Sequence, residues 1–231
     1  MIKSLLNKLG VGALARQISN FSILASAYGQ FKSIRKNEAI LKDGSSIPWY
    51  TYPAIEYLNA IDFSGKSVFE FGSGNSSLFW ASRAKSIVSV EDNEQWFNKV
   101  KESLGKNQKL VLRPSKAEYA NVIHEFDEIY DVVVIDGNHR PECARACLEH
   151  VHEHGIVVLD NSDWYYKTAK YIRDTTGFIQ IDFYGFGPIN HYTWTTSIFI
   201  SRSVNLLPMT NRQPVFSVGG LTHELINNED Y

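Results

Sequence analysis

Ser67-Val-Phe-Glu-Phe-Gly-Ser-Gly-Asn-Ser76 is the stretch on which the fold turns. Ser67 to Phe71 predicts a short strand, which ends in the glycine-rich turn Gly72 to Ser76. Leu78, Phe79, Ala81 and Ala84 then fall at helical spacing. Outward from this unit the pattern repeats. Ser86 to Val90 predicts a second strand ending at Glu91, and Trp96, Phe97, Val100 and Leu104 mark an amphipathic helix. Lys109 to Leu112 predicts a third strand. Asp131-Val-Val-Val-Ile135 is a β-branched run of the kind buried on both faces of a sheet. A helix is expected from Pro141 to Val151, with proline in its first turn. Gly155 to Leu159 predicts the next strand, ending at Asp160-Asn161.

Strands alternating with helices over about 20 residues imply βαβ units and a parallel sheet. The last third changes character. Phe178 to Phe183 and Thr195 to Ile200 are strand-like, with no helical pattern between them, only the turn-rich Gly185-Phe-Gly-Pro188. They predict a hairpin that closes the sheet antiparallel. The expected organisation is a basic amphipathic helical extension at 1–47, a central domain at 48–203 and a tail at 204–231.

Composition narrows the function classes. The chain has 231 residues, 44% of them hydrophobic, 21% charged, with a net charge of −2. That is too apolar and too weakly charged for a disordered chain. The near-neutral balance argues against a nucleic-acid-coating protein. Cys143 and Cys147 are the two cysteines, so a disulfide framework is excluded and a reducing, cytoplasmic setting is expected. No apolar run approaches the roughly 18 residues of a membrane span. Residues 1–37 carry six basic residues before the first acid, Glu38. Their apolar residues suit a helix packed on the main domain, on a second copy, or on the inner face of an anionic membrane.

Ligands of an open parallel sheet bind beyond the carboxyl ends of its strands. The residues to weigh there are Glu70, Gly72, Gly74, Glu91, Ser115, Asp136 and Asp160. A carboxylate at Glu91, nineteen residues past Gly72, can accept both hydroxyls of a ribose. Nicotinamide dinucleotides and S-adenosylmethionine share that requirement. The third glycine of a dinucleotide fingerprint would fall at Ser77, and Glu70 would crowd a pyrophosphate. The acid suits a ligand bearing an amino group and a sulfonium, so S-adenosylmethionine is favoured.

Glu70-Phe-Gly-Ser-Gly-Asn-Ser76, Val90-Glu-Asp-Asn93, Val134-Ile-Asp-Gly-Asn-His139 and Val158-Leu-Asp-Asn161 resemble the successive motifs of class I S-adenosylmethionine-dependent methyltransferases. The Asp136-Gly-Asn-His139 segment is similar to the signature of a bacterial methyltransferase-24-like subgroup. The resemblance spans roughly residues 48 to 202. It implies an α/β, Rossmann-like, doubly wound seven-stranded sheet, mostly parallel with an antiparallel last strand. It also implies roles. Glu70, Gly72 and Gly74, with Ser73 and Asn75 between and after the glycines, would hold the methionine half of the cofactor. Glu91 would hold the ribose, Asp92 and Trp96 would flank the adenine, and Ser115 is the candidate adenine contact. Asp136 would face the sulfonium, and Ile47 to Tyr52 would cover the cofactor.

Methyl transfer to a hydroxyl needs alignment and a base. His139 is the first candidate base, since its ordinary pKa lies near neutrality, and Asp160 is the second. A different chemistry uses metal. Asp136, Asp160 and Asn161 resemble the magnesium triad of catechol O-methyltransferase-like enzymes, where Mg2+ lowers the pKa of the acceptor hydroxyl. Trp164, Tyr165, Tyr166, Tyr192 and Trp194 are expected around the acceptor mouth. His150-Val-His-Glu-His154 reads as solvated histidines, and Cys143 and Cys147 as a small-residue helix face. The expected function is O-methylation of a small-molecule or carbohydrate hydroxyl, in glycan or secondary-metabolite modification, with no nucleic-acid partner. The rivals are the magnesium-dependent enzyme, a dinucleotide-dependent oxidoreductase and a non-catalytic, membrane-docked or interaction subunit.

Overall fold

Seven strands form one sheet in the computed structural model, which describes residues 10–220. They are β1 (Ser67–Phe71), β2 (Ser86–Glu91), β3 (Gln108–Leu112), β4 (Tyr130–Ile135), β5 (Val151–Leu159), β6 (Ile179–Gly185) and β7 (Trp194–Ile200). Their order is β3-β2-β1-β4-β5-β7-β6. β1 to β5 pair in parallel, whereas β7 runs antiparallel to both β5 and β6. The doubly wound sheet with its antiparallel strand is therefore present. No helix intervenes between β6 and β7, so the chain reverses directly, as the turn residues 185–188 require.

Side-chain alternation assigns the two faces. Val68, Val132, Val134, Val158 and Ile198 point to one layer, where α3 (Tyr52–Asn59) and α4 (Asn75–Ala81) bring Ile55, Leu58, Phe79 and Trp80. Phe69, Phe71, Val133, Ile135, Leu159 and Phe199 point to the other. There α6 (Lys116–Asn121), α7 (Arg140–Cys147) and α8 (Tyr166–Thr176) supply Tyr119, Cys143, Cys147 and Ile172. Each fully buried Val or Ile contributes roughly 1.5–3 kcal/mol, which outweighs any local propensity at these positions. The two cysteines lie buried on the α7 face, unbridged, and burial pushes both thiols well above their usual range.

Three expectations need correction. The helix expected to reach Val151 ends at Cys147 and tightens into a 3-10 turn at Leu148–His150. β5 then starts at Val151 rather than Gly155, because Val151 pairs with Tyr130 across a register shift. α6 and α8 have too few apolar positions to announce themselves in the pattern; α8 buries only Thr168, Ala169 and Ile172. α5 (Glu94–Lys101) stops before Leu104.

The extension behaves in two parts, and its residues 1–9 lie outside the described ones. α1 (Val11–Ser22) buries none of its residues; Val11, Leu14, Ile18 and Phe21 are all exposed. After the π-turn Ile23–Ala27 and across α2 (Gln30–Lys36) the chain joins the domain. Tyr28 packs on Tyr52 with ring centroids 4.3 Å apart, and Ala39 and Ile47 are part of the core. The tail also lies on the domain at first, with Val204 and Leu206 packed against the core. There the Asp62 amide donates to the Leu207 carbonyl (2.9 Å) and the Met209 amide to the Ala60 carbonyl (2.8 Å). No described helix is long and apolar enough to cross a membrane.

Candidate functional site

Strand order reverses between β1 and β4, and that switch point is where open α/β sheets bind ligands. Gly72 and Gly74 end β1 at φ of 107° and 151°, a region that favours glycine. A Cβ on Gly72 would stand 3.1 Å from Cα and N of Gly137, past the end of β4. Trp96 closes the turn from outside: its indole Nε1 donates to the Ser73 carbonyl at 2.8 Å. A Cβ on Gly74 would meet the indole at 3.5 Å. Glycine at both positions thus lets the turn close against Gly137 and Trp96, and its Ser73–Asn75 edge is the part that the methionine portion of S-adenosylmethionine would meet.

A cavity of about 810 Å³ opens at this turn, within the range of roughly 300–1,000 Å³ for ligand pockets. Ser73, Gly74, Asn75 and Trp96 line one end, and Asp136, Arg140, Asp160 and Asn161 the floor. Trp164, Tyr192 and Trp194 form the far wall. Of the 47–52 segment only Trp49 lines the cavity; Ile47, Tyr50, Thr51 and Tyr52 are buried beneath it. Asn37, Glu38 and Ala39 complete the rim, held there by the Asn75 Nδ2 bond to the Ala39 carbonyl (2.8 Å). Ile189 and Asn190, just past the 185–188 turn, also line it. Tyr165 lies beside Arg140 (4.9 Å from guanidinium carbon to ring centroid) instead of on the wall, and Tyr166 is exposed.

The acids are held differently from one another. Glu70 is fully buried below the turn; one oxygen accepts from Ser77 and Ser89, while Oε1 has no partner. Burial pushes its pKa up to about 7. Glu91 accepts from Ser73 Oγ (2.7 Å) and from the amides of Asp92 and Asn93 (3.2 and 3.0 Å). A carboxylate has about four lone-pair directions, so Glu91 keeps capacity for a ribose hydroxyl. Burial raises its pKa against these bonds. Asp160 Oδ1 accepts from Trp194 Nε1 (3.0 Å) and Thr196 Oγ1 (2.6 Å); burial pushes Asp160 up to about 6. Asp136 rises well above 3.8 because it is buried and faces Asp160.

Arg140 ties these acids together, and the sequence reading passed over it. Its guanidinium donates to Asp136 Oδ1 (3.1 Å) and Asn161 Oδ1 (2.6 Å). Asp136 and Asn161, two of the three residues expected to hold Mg2+, thus each give an oxygen to a permanent cation, and its charge at the centre of the cluster opposes a magnesium ion there. The signal was present only as a basic residue four positions past Asp136 at the start of the next helix, across a turn whose path the sequence does not show.

Several expected residues stand off the cavity wall. His139 occupies the position before α7 at φ 55°. Its ring faces Tyr119 (centroids 6.0 Å) and Asp92 (4.0 Å). Asp92 accepts from Asn138 Nδ2 (2.8 Å). Ser115 caps α6, its hydroxyl accepting from the Glu118 amide (3.3 Å) and bonded to that residue's carboxylate (2.6 Å). The half-buried His150 meets the exposed His124, nitrogen to nitrogen, at 2.8 Å, a pairing that the 150–154 run alone does not contain.

Residues 69–162 match the family model described as a methyltransferase domain. Comparison with curated proteins gives no match. Among solved structures, a Staphylococcus aureus protein described provisionally as a caffeoyl-CoA O-methyltransferase is similar at 15% identity and a TM-score of 0.54. The match covers 76% of this chain and 92% of that one. A precorrin-6y C5,15-methyltransferase from Geobacter metallireducens matches at 15% identity and a TM-score of 0.51, over 72% and 95% of the two chains. At such identities the likeness speaks for the fold.

Proposed function

Taking as premise that the chain carries a class I S-adenosylmethionine-dependent methyltransferase domain, we propose that it methylates a hydroxyl of a small-molecule or carbohydrate acceptor, with the Asp136–Asp160 pair as base. One observation carries this reading: a single cavity joins the glycine turn to two carboxylates of raised pKa and an aromatic wall.

The cofactor supplies an activated methyl group on a sulfonium, so the chain's task is alignment and proton removal. Ser73, Gly74 and Asn75 line the cofactor end, and Glu91, behind them and bonded to Ser73 Oγ, is the carboxylate that would take a ribose hydroxyl. Trp164 and Tyr192, with ring centroids 6.1 Å apart and planes 34° from parallel, offer a face to a sugar or aromatic ring. The chain's own part is to hold the acceptor hydroxyl in line with that methyl group and to relieve it of its proton. That proton passes to the aspartate pair and then to water. Two adjacent buried carboxylates do not both ionise readily, so the pair suits one proton at a time. His139, turned toward Asp92 and Tyr119, stands off the cavity and is left without the base's role.

The first test is calorimetric titration with S-adenosylmethionine and its demethylated product on wild type and Glu91→Ala. Micromolar binding that falls at least tenfold in the variant supports the reading; no binding of either ligand sinks it. Isotope-labelled methyl donor with a panel of hydroxylated acceptors then gives a methyl ether in wild type and little in Asp160→Asn. A product methylated on nitrogen would overturn the hydroxyl assignment.

A further inference from the structure

Arg140 has a geometry that decides more than the ion pair with Asp136. A guanidinium carries five N–H bonds in one plane, and here each one has an acceptor. Nε donates to the Gly137 carbonyl at 3.1 Å. One terminal nitrogen donates to the Asp160 carbonyl (3.0 Å) and to Asn161 Oδ1 (2.6 Å). The other donates to the Asp136 carbonyl (2.8 Å) and to Asp136 Oδ1 (3.1 Å). The residue is buried, and the Tyr165 ring lies beside the guanidinium carbon. Asn161 adopts φ 51°, a conformation that asparagine tolerates better than most residues.

We propose that Arg140 is a positioning residue standing where a divalent ion sits in a catechol-type site, so that this chain's transfer runs without metal. Valence and charge both oppose a metal at this place. Mg2+ requires near-octahedral oxygens at about 2.0–2.1 Å, and Asp136 and Asn161 have each given an oxygen to the guanidinium. A second cation entering the same cluster would meet a charge that no proton loss can remove. With no N–H to spare, Arg140 does not bind the acceptor. It clamps the ends of β4 and β5 and fixes the orientation of Asp136. On the acceptor assignment made above, there is a consequence for specificity. A chelated metal grips two adjacent oxygens of its substrate, whereas this site is satisfied by a lone hydroxyl.

The test uses Mn2+, a paramagnetic stand-in for Mg2+, titrated into the full chain without cofactor or acceptor and followed by electron paramagnetic resonance. Wild type is expected to bind no Mn2+ that depends on Asp136. Arg140→Ala should gain one Mn2+ with at least tenfold higher affinity, and the added change Asp136→Asn should remove it. Arg140→Lys retains the charge with fewer donors and should exclude Mn2+ as wild type does. A wild type that binds one Mn2+, lost on Asp136→Asn, would overturn the proposal, and that arm needs no folded Arg140 variant. A folded Arg140→Ala that gains no Mn2+ would overturn it equally. Calorimetry with S-adenosylmethionine on the same samples reports separately on the methyltransferase reading.

Discussion

Replacing Glu70 by glutamine should stabilise the protein at neutral and alkaline pH and leave it nearly unchanged in acid. Glu70 is fully buried, with Oε1 unpartnered, and its pKa moves from the ordinary 4.5 to about 7. The unfolded carboxyl gives up its proton near 4.5 and the folded one near 7. Between those values the folded state holds a proton that the unfolded state has lost. Stability therefore falls as pH rises from 4.5 and levels off above 7. A pKa difference of about 2.5, at roughly 1.36 kcal/mol for each unit, amounts to about 3 kcal/mol. At ~2–4 °C per kcal/mol for a chain of this size, the melting temperature should separate by roughly 6–12 °C. Glutamine keeps a carbonyl for Ser77 and Ser89 and carries no charge, so it resembles the protonated acid at every pH. Urea and thermal unfolding at about pH 5 and about pH 8 give the comparison. The variant should exceed wild type by about 1 kcal/mol or less at the lower pH and by about 3 kcal/mol at the higher. Stability curves that run parallel across that interval would refute the reasoning, because the burial cost would then be absent.

Gly137→Ala places a Cβ 2.0 Å from Tyr119 Oη and 2.9 Å from the Gly72 amide. Overpacking of this kind costs about 1–3 kcal/mol, so thermal melts should drop and S-adenosylmethionine should bind more weakly; an unchanged melt and affinity would contradict the contact. Thr196→Val removes the 2.6 Å donor to Asp160 Oδ1. A bond to a charged group is worth roughly 1.5–3 kcal/mol, equivalent to about 1–2 pH units. The rate of methyl transfer, which rises as the pair loses its proton, should therefore rise at correspondingly higher pH, and a profile that stays in place would count against the aspartate base. Trp164→Ala strips an exposed ring from the wall. Steady-state kinetics should show a raised acceptor KM with little change in cofactor affinity, the reverse of the pattern for Glu91→Ala.

Local periodicity determined a good deal of this protein from the sequence alone. The strand, glycine turn and helix of 67–81, the β-branched run at 131–135 and the final reversal without a helix are written in spacing. Neighbouring residues alone decide whether a segment buries one face or two. The carboxylates at strand ends follow from the same alternation, since the chemistry of a parallel sheet gathers at one edge. α6 and α8 stayed hidden because three or fewer of the residues in each are buried, and the sheet supplies what their sequence lacks. The cavity was illegible for a different reason. Trp194 and Thr196 reach Asp160 across 34 and 36 residues, and Ala39 reaches Asn75 across 36. No pattern read along the chain contains those meetings. His139 and Arg140 are adjacent, yet only one lies among the acids. Successive residues entering a helix point roughly 100° apart, and the left-handed backbone at His139 sets which of them turns inward. The sequence put a histidine and an arginine beside the strand end; only tertiary packing chose the arginine for the centre and turned the histidine away from the cavity, toward Asp92 and Tyr119.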